Sequence, residues 1–216
     1  MLIGIDASRA LRAQRTGTEN YSRQLIRHLL ALGSGHRFRL YCPQRPPAGL
    51  FDLPDQAANR SQSELRVIPF PRLWTHARLS VEVTTHPPQV LFVPSHVLPA
   101  LHPRRSVVTV HDLGYRYFPE AHKTLDRVYL DLSTRFNARS AAHVLADSQA
   151  TKDDLVRFTG VAADQVTVVH LGRDETLAPV DDPQRIADVQ RRLGLRQQGE
   201  PAAPAIVYVG TLQPRK

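Results

Sequence analysis

Three short stretches of this chain combine residue types that could do chemistry beside a strand end. They are Arg15-Thr16-Gly17-Thr18-Glu19-Asn20, His111-Asp112-Leu113-Gly114, and Ile206-Val207-Tyr208-Val209-Gly210-Thr211-Leu212-Gln213-Pro214-Arg215-Lys216. The last reads as a buried strand that breaks at a Gly and ends on two cations. α/β proteins open a site for phosphate oxygens in this way. The helix that should follow lies beyond Lys216. We therefore expect one full domain and the opening of a second.

In the first stretch Thr16 and Glu19 fit a capping box, with Gly17 in the first helical turn. A Gly there lets a phosphate or sugar reach the exposed backbone N–H groups with no Cβ in the way. A plain helix start fits the residues equally well. In the second stretch His111 follows a predicted strand and projects into the cleft, where Asp112 can orient it or bind a hydroxyl. On spacing alone, a His satisfied locally at a strand end is the more economical reading. A metal-dependent phosphohydrolase needs further ligands, and His96, His102, His122 and His170 show no metal-ligand spacing. His170-Leu171-Gly172-Arg173-Asp174 reads as a turn between domains, with Gly172 at positive φ.

The elements that must position these residues alternate strand and helix. Expected strands are Leu2–Asp6, Arg37–Cys42, Leu65–Ile68, Val90–Val93, Ser106–Val110, His143–Ala146, Val166–Val169 and Ala205–Val209. Several are continuous apolar runs such as Val107-Val108-Thr109-Val110, as parallel strands covered on both faces require. Tyr21, Leu25, Ile26, Leu29 and Leu32 share one helical face, and Leu125, Val128, Tyr129, Leu132 and Phe136 repeat at spacings of three and four on another helix. Ser148 is placed to cap a third helix, with Gly160 after its end. The fold class is thus α/β, a doubly wound parallel sheet of Rossmann-like type with the start of a second domain. The boundary falls at the Pro- and Asp-rich stretch after Gly172, giving domains at 1–172 and 173–216.

Bulk composition narrows the class further. At 216 residues, 42% hydrophobic and 22% charged, the chain can bury one sizeable core, and no apolar run approaches the roughly 18 residues that span a bilayer. The single Cys42 cannot form an internal disulfide and reads as a small buried hydrophobe in a reducing, cytoplasmic compartment. A net charge of +8 and a pI near 10.2 suit anionic partners, although the Arg residues are scattered rather than blocked. No basic stripe or RNA-binding aromatic signature points to nucleic acid. Nor does the chain hold the Gly-x-Gly-x-x-Gly turn that a dinucleotide binder needs.

Taken together, four stretches resemble the retaining glycosyltransferases of family 4, which pair two Rossmann-like domains across a cleft (the GT-B fold). They are Gly17-Thr18-Glu19-Asn20-Tyr21, then His111-Asp112-Leu113 with Phe118-Pro119-Glu120, then Ala146 to Leu155, and last Val168-Val169-His170-Leu171-Gly172 with Tyr208 to Lys216. Their order and spacing match over nearly the whole chain. Gly-Thr-Leu-x-Pro-Arg-Lys looks most like the mannosyltransferase-type branch. The resemblance implies that Gly17, Thr18 and Asp112 meet the donor and that His111 stabilises charge at the reacting sugar. For His111 the charge implied is positive charge at the sugar's anomeric carbon, met through a backbone or ring contact. The resemblance also implies that Arg215 and Lys216 hold the donor phosphates and assist their departure, so that no metal or other cofactor is required. Family members carry two glutamates eight positions apart in the second domain. No two of Glu19, Glu64, Glu82, Glu120, Glu175 and Glu200 have that spacing, and Thr211 replaces an Arg common in other branches.

The implied function is the acceptor-side half of an enzyme that moves a sugar from a nucleotide sugar to a glycan or lipid-linked acceptor, inactive as this chain alone. The alternative is a non-catalytic acceptor-binding module paired with a separate donor-binding partner. The long helix from His122 to Arg139, the Pro-rich loop, and Trp74 with Arg72, His76 and Arg78 could meet a membrane-bound lipid carrier at the inner membrane face, although a partly packed surface helix is the more economical reading.

Overall fold

In a computed structural model the chain is described throughout except at residues 15, 33, 53–62, 96, 174–176, 196–203, 209 and 211–216. Two compact units emerge, Met1–Leu171 and Gly172–Lys216. The first unit is built on seven strands: β1 (Leu2–Asp6), β2 (Arg37–Cys42), β3 (Ser63–Val67), β4 (Val90–Val93), β5 (Ser106–Val110), β6 (His143–Ala146) and β7 (Val166–Val168). Every neighbouring pair is parallel, and the order across the sheet is β3-β2-β1-β4-β5-β6-β7. Five strands have the expected bounds. β3 starts two residues early and ends one early, and β7 stops one residue short.

Strand side chains alternate between faces, and the core divides along that alternation. Leu91, Val93, Val108, Val110, Val144 and Ala146 join one cluster, while Phe92, Val107 and Leu145 join the other. Helix α1 (Gly17–Ala31) covers the second cluster with Leu25, Ile26, Leu29 and Leu30. The first cluster is covered by α2 (Ser80–Thr85) through Val83 and by α4 (Thr124–Ser140) through Leu130 and Ala138, with α5 (Gln149–Thr159) adding Leu155. A single-turn helix α3 (Gly114–Tyr117) precedes α4. The sheet is thus covered on both faces, as the apolar runs require.

Helix ends follow local chemistry. Ser148 Oγ accepts the Thr151 N–H at 3.1 Å to start α5, and Gly160 stops it at φ 74°. Leu32, expected on the buried face of α1, follows the helix and is exposed. The apolar stripe of α4 is the larger departure. Leu125, Val128, Tyr129, Leu132 and Phe136 all face out, Leu125 at 83% exposure, while Thr134, Asn137 and Ala138 face the sheet. Rotation of the helix about its axis is set by what the sheet accommodates. Asn137 Oδ1 accepts the Leu98 N–H at 3.0 Å in the interior, a buried donor that an apolar side chain would leave unpaired.

The second unit contains α6 (Pro183–Arg192), N-capped by Asp182, whose Oδ1 accepts the Gln184 N–H at 2.9 Å. The expected strand Ala205–Val209 is not formed. Ala205 to Tyr208 are without sheet pairing among the described residues and are exposed, and Val209 lies outside the described residues. An apolar run becomes a strand only with a neighbour to satisfy its N–H and C=O groups, and among the described residues Ala205 to Tyr208 pair with no strand. Gly172 does not take the expected positive φ, because residues 169–173 run on from β7 without a turn.

Candidate active site

Because all seven strands are parallel, their carboxyl ends share one edge, and the strand order reverses between β1 and β4. Ligands of doubly wound sheets sit at such reversals. At the end of β1, Asp6 is buried and its Oδ1 accepts the Ser8 N–H at 2.9 Å. Burial pushes the Asp6 carboxyl above its ordinary range, against that hydrogen bond and nearby Arg9.

The next feature along this edge is the start of α1. Glu19 accepts the Thr16 backbone N–H at 3.1 Å and also a bond from the Thr16 hydroxyl, completing the expected capping box. Arg9 Nη1 lies 3.5 Å from the same carboxylate. Burial opposes ionisation of Glu19, but the two Thr16 bonds and Arg9 outweigh it and hold the carboxyl below its ordinary range. Gly17 is exposed, and a Cβ built on it meets nothing within 4 Å. The folded chain therefore places no steric demand for glycine at this position. Thr18 sits beside it, its carbonyl accepting from Ser22 Oγ at 2.9 Å.

His111 follows β5 by one residue. Val110 and Ala146 are the last register pair of β5 and β6, so His111 and Asp147 come next on adjacent strands. Alternation points both toward the α1 face. Asp147 Oδ2 lies 2.6 Å from His111 Nδ1, and the Pro94 carbonyl, just past β4, lies 3.1 Å from Nε2. From α1, the Tyr21 ring meets the imidazole edge-on at 4.8 Å, and its hydroxyl reaches Thr109 Oγ1 at 3.3 Å. Burial and the Asp147 carboxylate push the Tyr21 hydroxyl up, partly offset by the Thr109 bond. Thr151 Oγ1 of α5 donates to the His111 carbonyl at 3.0 Å. Four elements thus fix this one residue.

The remaining sequence candidates divide. Asp112 is exposed, and its Oδ1 accepts the Gly114 N–H at 2.8 Å, which starts α3. Arg215 and Lys216 lie outside the described residues. His170 is exposed and was not placed in any site. Among the described residues no three His, Cys, Asp or Glu side chains cluster to hold a metal. Asp147 and the ring role of Tyr21 were missed. Asp147 lies within the Ala146–Leu155 stretch, but its partnership depends on the β5–β6 register. A cavity of about 470 Å³ opens beside the β1 and β2 ends, between Ser8, Arg9, Arg12, Gln44, Trp74 and Thr75. The Trp74 indole N–H donates to the Ile68 carbonyl at 2.8 Å, and Arg78 pairs with buried Glu82 at 3.5 Å. Both are thus tied into the fold, in line with the packed-surface reading. Cys42 is buried, as expected, and burial pushes its thiol up to about 12.

Residues 15–177 match the family model described as Glycosyltransferase Family 4. The chain belongs to that family. This family 4 chain is 25% identical over 239 residues to the O-antigen chain mannosyltransferase B of Escherichia coli, covering 98% of this chain and 56% of that protein. Its fold is similar to the crystal structure of Anabaena HepE in complex with UDP-glucose (TM-score 0.53, 19% identity), covering 90% of this chain and 50% of that one. It is also similar to WaaG, a glycosyltransferase involved in lipopolysaccharide biosynthesis (TM-score 0.57, 13% identity), covering 92% and 52%. The family 4 chain spans about half the length of the relatives it matches.

Proposed function

We propose that this chain is the acceptor-side half of a retaining glycosyltransferase that moves a hexose from a nucleotide sugar to a glycan or lipid-linked acceptor. The observation that carries this reading is the meeting, in a family 4 chain, of the α1 start and His111 at the edge where the strand order reverses. Gly17 and Thr18 turn backbone N–H groups toward the donor diphosphate, and Asp112 lies beside the donor. His111 faces the reacting sugar. The bond from the anomeric carbon to the diphosphate breaks, a bond to an acceptor hydroxyl oxygen forms on the same face, and the hydroxyl proton leaves with the diphosphate. Arg215 and Lys216 receive the leaving diphosphate, where cations act most strongly as negative charge builds.

Domain roles follow. Residues 1–172 are the acceptor-side domain, and residues 173–216 are a linker and the start of a donor-binding domain. The E. coli relative's name favours a mannosyl donor. The cavity beside Arg9, Arg12 and Trp74 suits a hydroxyl-rich or anionic acceptor. The outward stripe of α4 suits an acceptor held at the cytoplasmic membrane face, since amphipathic helices bury such stripes at the lipid boundary.

The test is a chain extended past Lys216 through a second Rossmann-like domain, given a panel of nucleotide sugars and lipid-linked glycans. Acceptor-dependent release of nucleoside diphosphate, with the new linkage keeping the donor's anomeric configuration, is the expected result. His111→Ala should lower turnover about 10²–10⁴-fold with little change in donor affinity. No release with any donor would sink the reading, and an inverted linkage would remove the word retaining.

A further inference from the structure

We infer that Asp147 is a positioning residue that keeps hydrogen on both ring nitrogens of His111, so that His111 presents a fixed positive charge to its ligand and not a proton acceptor. This deepens the proposed function and rests on its placing of His111 at the reacting sugar.

The argument is one of donors and acceptors. A neutral imidazole has one N–H donor and one bare nitrogen, and the partner at one nitrogen decides which is which. His111 faces acceptors at both. The Pro94 carbonyl at 3.1 Å from Nε2 can only accept, which requires hydrogen there. At Nδ1 stands the Asp147 carboxylate at 2.6 Å, a spacing typical of a charge-assisted bond. Both bonds form at once when the ring carries two hydrogens and the carboxylate none. Asp147 in turn depends on the ring: its other oxygen is buried and has no hydrogen-bond partner among the described residues. A carboxylate so enclosed needs compensation, and the imidazolium supplies it.

The neighbours fit this assignment. Tyr21 presents its ring to His111 edge-on, and its hydroxyl is turned to Thr109, so it takes no proton from the imidazole. Beyond Asp147 on β6, Tyr21 on α1 and the Pro94 carbonyl after β4, the adjacent Asp112 carboxylate accepts the Gly114 N–H. With both nitrogens held, the ring is not poised to accept a proton from an acceptor hydroxyl. It is poised to favour negative charge nearby, as on a departing phosphate, and not the positive charge at the anomeric carbon that the resemblance implies for it.

The ring can be read directly in this chain. Long-range ¹H–¹⁵N correlation spectra of ring-labelled histidine at pH 7, with His111 assigned by its loss in His111→Phe, should show both His111 nitrogens protonated. A bare ring nitrogen at pH 7 in the unsubstituted chain overturns the proposal, and that measurement needs no variant at Asp147. Asp147→Asn keeps the shape and removes the charge. It should return His111 to a single-hydrogen form, with the backbone amide spectrum confirming the fold. Two protonated nitrogens in Asp147→Asn would show that Asp147 does not hold the ring, and would equally overturn it. Failure of sugar transfer in the extended chain would sink the functional reading instead, and the spectra would still decide the ring.

Discussion

Glu19 offers the sharpest test of how the α1 start is held. Glu19→Ala removes the acceptor for the Thr16 N–H at 3.1 Å, the bond from the Thr16 hydroxyl and the partner of Arg9 at 3.5 Å. Loss of a capping interaction costs about 1 kcal/mol, and hydrogen bonds to a charged group contribute about 1.5–3 kcal/mol. Thr16 is exposed, so its freed donors turn to water, which favours the lower end. The Arg9 side chain is 39% exposed, and its arm adds little after solvent screening. The expected loss is about 2 kcal/mol, roughly thirtyfold in the folding equilibrium. Glu19→Gln keeps the shape and loses the charge, for about half that loss.

The pH dependence has a definite sign. Glu19's folded carboxyl lies below its ordinary range, so its contribution is present above that range and is lost as pH falls through the folded value. The gap between parent and Glu19→Gln should therefore close on acidification. Urea unfolding followed by far-UV circular dichroism at pH 7 and at about pH 3 measures both ends, with the slope m checked for constancy. A Gln variant with the parent midpoint at pH 7 would refute the argument. So would a cost that survives undiminished in acid.

Further substitutions probe packing and access. A Cβ at Gly4 meets the buried Tyr41 ring at 2.7 Å and Pro88 Cγ at 2.9 Å, so Gly4→Ala should cost about 1–3 kcal/mol. An unchanged melting temperature would mean that the Tyr41 ring gives way freely. Gly17→Ala meets open space, and it should leave this chain as stable or gain up to about 1 kcal/mol. In the extended chain the same change should raise the donor concentration needed for transfer, and an unaltered donor requirement would remove Gly17 from the site. With its thiol pushed up to about 12, Cys42 holds a thiolate fraction of about 10⁻⁴ at pH 8. Maleimide labelling of the folded chain should therefore be at least about a thousandfold slower than in urea, and comparable rates would show that Cys42 is not buried.

The α/β class was legible because it rests on local periodicity. Runs such as Val107-Val108-Thr109-Val110 can be satisfied only by burial on both faces, and Ser148, Gly160 and the Thr16–Glu19 pair mark helix ends through bonds within a few residues. The stretches 15–20 and 111–114 were found for the same reason, since chemistry after a strand is readable from sequence order. Tertiary structure decided which neighbour each group meets. Period alone identified the apolar stripe of α4, yet the buried Leu98 N–H and the small Ala138 turned the opposite face inward. The sequence marked Ala205–Val209 as a strand, but a strand needs a partner, and among the described residues Ala205 to Tyr208 pair with none. His111 could be singled out from its place after β5, while its ring partners Asp147, Pro94 and Tyr21 lie 36, 17 and 90 residues away along the chain. Local bonds are written in neighbouring residues. The partners of His111 are written in a strand register, which exists only once the sheet has formed.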